Sequence, residues 1–279
     1  MPLAPPVSTT RQPAPDWATL VAISALAYLL AVGLHEHLGH AAACVVLGSR
    51  PLEVGAFYVD CDYSSLSDAR IRLVALAGPV VSLVVGVGGF LVLRRLPRNA
   101  SPLSYFVWLL GTIGLMSATG YLLFSGISGI GDFGTGRDGV LYHAAPEWFW
   151  RIVLTIAGVA GYVLTIFVAL RAIDPRIAGA GDTRVGYASR LALTSYLTGA
   201  VVFVAIGLLN PHGLIIVLIS AAASSLGATS GLLWMMQLLD RKRETPGPGL
   251  IFQRNWRWIA LGGLAALVYA IVLGPTLRP

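Results

Sequence analysis

Apolar residues in this chain fall in long, nearly unbroken runs. They neither alternate as on a half-buried strand nor recur every third or fourth position as on a soluble amphipathic helix. A helix needs roughly 20 mainly apolar residues to cross the hydrocarbon core of a bilayer. On that measure the runs predict about seven spans. They run from about Trp17 to Leu47, then Ile71–Leu93, Tyr105–Phe124, Ile152–Leu170, Leu191–Leu209, Leu214–Leu239 and Trp258–Leu273. The expected fold class is therefore an all-α polytopic membrane protein. Asp16 stands where an N-cap would open the first helix. That run is long for one crossing, so it should tilt or extend past the bilayer. Between Gly48 and Asp68 the pattern changes, and Val54 to Val59 alternates enough to predict a short strand or hairpin.

Composition supports the membrane reading. The 279 residues are 56% hydrophobic and only 11% charged, against about 25% charged in a soluble domain. Residues 1–16 hold five prolines and one Arg and read as a disordered arm. The apolar run that follows exceeds the roughly 7–15-residue core of a signal peptide, so it is expected to stay as a membrane helix. Of the 19 Lys+Arg, six (Arg50, Arg70, Arg72, Arg137, Arg151 and Arg278) fall on one side of the predicted spans and the rest on the other. The positive-inside rule then puts the N-terminus in the cytoplasm and the C-terminus outside. The expected location is a prokaryotic cytoplasmic membrane. The basic residues sit in short loops and stripe no folded face, which argues against nucleic acid as a partner and for the lipid bilayer. Two cysteines, Cys44 and Cys61, make no disulfide framework or zinc ribbon. One bridge would form only if their loop meets an oxidising compartment.

Several polar or small residues have plain explanations. His143 and His212 read as solvated or interfacial, and Trp148, Trp150, Trp256 and Trp258 as interfacial anchors. The small-residue run Ser220 to Gly231 reads as a close helix-packing face.

The segment His35-Glu36-His37-Leu38-Gly39-His40 is different: it holds three of the five histidines, around a Glu, inside the first span. Ionisable groups at membrane depth are costly unless paired or coordinated. Imidazole and carboxylate are good metal ligands, and a metal with an open position activates water. A buried polar network joining helices is the plainer alternative. On a regular helix each residue turns ~100°, which leaves His35 and His40 ~140° apart. The zincin spacing His-Glu-x-x-His is missed by one residue. Either a π-bulge absorbs the extra residue and brings His35 and His40 to one face, or the helix stays regular and His40 pairs with Glu36 or His37.

These residues, with Gly39-His40 and the Ala-rich stretch after them, resemble the motif helix of the site-2 protease family of intramembrane zinc metalloproteases. Two further elements agree. Ala77-Gly78-Pro79-Val80-Val81-Ser82 is similar to the family's Gly-Pro-x-x-Asn element, with Ser82 in the Asn position. A Gly-rich segment after the third span ends in Asp132, where the family supplies an Asp ligand. The family's usual order is Asp-Gly, so Asp138-Gly139 is a rival to Asp132. The resemblance implies a three-helix metalloprotease-like core within residues 17–145, followed by four C-terminal helices in 146–279. It implies Zn2+ held by His35, His40 and Asp132, with Glu36 as general base. Gly78, Pro79 and Ser82 would help position substrate. The partner implied is a transmembrane protein or peptide substrate, its extended segment added as a strand near Val54–Asp60. Two other readings remain: a non-proteolytic protein of the same fold that binds metal or a client helix, and a metal transporter. The chain has no repeated half and no second His or acidic cluster in its later spans to favour transport.

Overall fold

The computed structural model describes residues 14–97, 102–212, 214, 227–245 and 249–279. Most of the expected N-terminal arm lies outside them. Among the described residues, six helices are long and apolar enough to cross a membrane. The first begins as α1 (Trp17–Gly33), passes through a π segment (Leu34–Ala41) and ends as α2 (Ala42–Val46). A two-stranded antiparallel hairpin follows, β1 (Pro51–Val54) and β2 (Val59–Cys61). Then come α3 (Asp68–Arg95), α4 (Pro102–Ser128), α5 (Glu147–Ile173), α6 (Gly181–Gly207) and α7 (Trp256–Val268). The last helix continues into a π turn, Tyr269–Leu273.

The helices run alternately between two ends. The hairpin marks one end, where Glu53 meets His212 (3.2 Å) just after α6, and Arg278 after α7 (3.0 Å). At the opposite end, Asp16 opens α1 as its N-cap, accepting from Thr19 N at 2.9 Å, and meets Arg254 before α7 at 3.0 Å. There too Asp174, after α5, is paired with Arg184 of α6 and with Arg243. His212 and Arg243 thus lie at opposite ends. Of the predicted span Leu214–Leu239, residues 215–226 lie outside the described ones. Its described part is not the continuous α-helix expected: it forms 3-10 turns at Ser230–Leu233 and Met235–Leu238. Part of the reason is a contact with α5. Gly231 N donates to Tyr162 Oη at 2.9 Å instead of to a carbonyl four residues back.

Buried polar contacts join the helices. Tyr105 of α4 meets Ser195 of α6 at 2.7 Å, and Ser195 meets Ser24 of α1 at 2.8 Å. Trp108, fully buried, donates to the Ala169 carbonyl of α5 at 2.9 Å. Such bonds between membrane helices contribute about 0.6 kcal/mol each on average.

The hairpin is fixed from three sides. A Cys44–Cys61 disulfide ties β2 to α2, a bridge that the sequence alone leaves conditional on compartment. His37 Nε2 bonds the Gly55 carbonyl at 3.0 Å. Val54 and Leu277 exchange two backbone hydrogen bonds of 2.9 Å, so the C-terminal segment already occupies part of the β1 edge. Hydrogen bonds from Tyr58, His212 and Arg278 hold the Glu53 carboxyl below the ordinary glutamate range, against opposing desolvation. A depressed carboxylate stabilises above its unfolded pKa of about 4.3, and that contribution is lost as pH falls through the folded value.

Two outcomes are expected. Denatured protein should take up no maleimide at Cys44 or Cys61 until a reductant is added, and two labels afterwards, read by intact mass. Amide exchange at Val54 and Leu277, corrected for its intrinsic pH dependence, should quicken below about pH 4 and also in Glu53→Gln at neutral pH.

Candidate metal centre

The extra residue between His35 and His40 is absorbed by the π segment. Its wider turn puts the two rings on one face, with Nε2 atoms 3.2 Å apart. Of the alternatives left by the sequence, this is the bulged helix. His37 turns away to the hairpin, as its bond to Gly55 shows. Asp132 completes the group, with Oδ2 3.1 Å from His35 Nε2 and Oδ1 3.5 Å from His40 Nε2. Asp138 is not part of it. Gly129 and Gly131 have φ of +77° and +83°, a region that side-chain-bearing residues rarely adopt. They fold the chain back after α4 so that Asp132 reaches the histidines.

The other ring nitrogens are held. His40 Nδ1 bonds the Val74 carbonyl of α3 at 2.8 Å, so Nδ1 carries the hydrogen and Nε2 is a lone pair in the neutral ring. His35 Nδ1 lies 2.9 Å from Ser82 Oγ, which can accept from it and leave Nε2 bare in the same way. Ring orientation by an outer partner is the usual arrangement around metal-binding histidines. Asp132 Oδ2 is buried and has no hydrogen-bond partner among the described residues, although it sits beside His35 Nε2. Three ligand atoms within 4.8 Å of one another, with lone pairs converging, suit a cation. The residues therefore fit a metal ion.

The elements named from the sequence gather here in different roles. Gly78 lets α3 approach: a Cβ there would lie 2.8 Å from His35 Nε2 and 2.7 Å from His40 Cε1. A Cβ on Gly39 would lie 2.6 Å from Gly78 Cα. Ser82 is buried against His35. Pro79 is buried within α3 beside them. Glu36 is buried on the π segment. Two contributors had no signal in the sequence: the Val74 carbonyl, and Tyr121, whose ring stacks on His35 at 5.1 Å and 13°. A Tyr on an apolar helix looks like any core residue.

Set against protein-family models, curated proteins and solved structures, the chain has no match. The residues themselves carry the functional reading.

Gly78→Ala should push the two histidines apart and weaken metal binding at least about tenfold, while Ser82→Ala should weaken it by about 10–100-fold. Metal titration of the purified variants checks both.

Proposed function

We propose that this chain is an intramembrane zinc metalloprotease of the site-2 type, hydrolysing peptide bonds of membrane-protein substrates. The observation that carries the reading is the convergence of His35, His40 and Asp132, made by a π segment in a span. The three gaps between ligand atoms are 3.2, 3.1 and 3.5 Å; two imidazoles and a carboxylate this close suit a small divalent cation, and zinc takes ligands of these kinds.

Bound there, zinc would polarise a scissile carbonyl and make water more acidic. The chain's own residues do the rest. His35, His40 and Asp132 would hold the ion, and Ser82 and the Val74 carbonyl orient the two rings. Glu36 takes the proton of the attacking water on its carboxylate and delivers it to the leaving amine nitrogen. The irregular backbone around Gly129 to Gly134 suits a local wet cavity, where such backbone is tolerated at membrane depth. Positive-inside puts the hairpin and the site toward the outer face. A disulfide at that end is in keeping with an oxidising compartment.

One observation favours the non-proteolytic reading: Ser82 is engaged with His35, so it is less available to a substrate than the family's Asn. Metal analysis and hydrolysis separate the two. Purified wild type in detergent should carry about one zinc per chain, lost in His40→Ala and in Asp132→Ala. Glu36→Gln should keep the zinc and lose about 10²–10⁴-fold in hydrolysis of a membrane-protein substrate. Full activity in Glu36→Gln would overturn the mechanism, and folded wild type without metal would overturn the zinc reading.

A further inference from the structure

Beside the candidate centre lies a cavity of about 420 Å³ between α4, α5 and the turn at residues 227–230. Its walls include Gly120, Tyr121, Leu123, Phe124, Tyr162 and Ala228. Cavities that take small molecules run from about 300 to 1,000 Å³, so there is room for a large side chain. We propose that this cavity receives one bulky apolar side chain of the substrate, next to the bond that is cut. The inference rests on the metalloprotease reading and assigns part of its specificity to residues outside the metal-binding group.

Two walls connect the cavity to the centre. Tyr121 lines it and stacks on His35. Phe124 lines it and comes within 3.4 Å of where a Cβ on Gly131 would stand, one residue before Asp132. A group anchored at the metal ligands therefore has the cavity about one ring away. The walls also select the occupant. Among the described residues, no Asp, Glu, Lys, Arg or His lines the cavity, so a charged side chain would enter without a partner at membrane depth, which is costly. The Tyr162 hydroxyl is already engaged by Gly231 N at 2.9 Å. Gly120 lets the turn at Ala228 close that side of the cavity against α4: a Cβ there would lie 2.9 Å from Ala228 Cβ.

Hydroxamates test this without knowing the natural substrate, because they anchor on zinc and carry a chosen side chain. The probes are the N-acetyl hydroxamates of glycine, aspartate, leucine and phenylalanine, titrated calorimetrically into the zinc-loaded full chain in detergent. The leucine and phenylalanine compounds should bind at least about tenfold more tightly than the glycine compound, and the aspartate compound no more tightly. Leu123→Trp, which fills the cavity, should bring the phenylalanine-to-glycine ratio toward one. Ile156→Trp, on the exposed face of α5, should leave the ratio as in wild type. Phe124→Ala, which enlarges the cavity, should shift preference toward a naphthylalanine hydroxamate, and it serves if Leu123→Trp does not fold. Glycine hydroxamate binding with no gain from the larger side chains, or a gain that survives in Leu123→Trp, overturns the cavity's role alone. Failure of every hydroxamate to bind overturns the metal reading and the cavity's role with it.

Discussion

Two imidazole nitrogens and a carboxylate, brought within 3.5 Å of one another inside a membrane helix bundle, repel unless something positive lies among them. Much of the surrounding structure is arranged to maintain that convergence. The π segment gives up regular helical hydrogen bonding, and α3 lies against it at glycine-to-glycine distance. The Val74 carbonyl and the Ser82 hydroxyl keep both rings turned inward. The loop after α4 uses left-handed glycines to carry a carboxylate to the same point.

The elements farther out hold this arrangement in place. The hairpin is tied to the motif helix by a disulfide and by His37, and to the end of the chain by paired backbone hydrogen bonds. A strand-like partner approaching β1 would meet Leu277 already bonded to Val54. At the other end, Asp174 gathers Arg184 and Arg243 and joins the α5–α6 connection to the segment before α7. The C-terminal helices therefore brace the first three spans as well as filling the membrane.

Hydropathy made most spans legible, because length and apolarity are what a bilayer requires. Asp16 as an N-cap was readable from its residue type and position. Several helices extend beyond the apolar runs, α6 by ten residues at its start, since helical hydrogen bonding continues into polar ends such as Asp68, Arg95 and the Gly181–Arg190 stretch. The six-residue motif was legible as a cluster but not as a geometry: spacing allowed both a bulged and a regular helix. The sequence favours Asp132 over Asp138 by its nearness to the third span and its glycines, and the loop's backbone brings Asp132 to the histidines. The roles of Ser82, Val74 and Tyr121 depend on contacts between helices, which hydrophobic periodicity does not encode. The 3-10 turns at Ser230–Leu233 and Met235–Leu238 were not legible, because they depend on Tyr162, sixty-nine residues from Gly231 in sequence.

The π segment also bears on descent. A π-bulge takes in one residue where it arises and leaves the helix on either side in its former register. Leu38, more than half exposed, packs little against the rest of the chain. Gain or loss of one codon there could leave Cys44 facing Cys61 and Gly39 facing Gly78. Two lineages could then share one constellation of ligands while differing in the spacing by which such a motif is searched for, and separation along a chain would be a poor guide to kinship between sites.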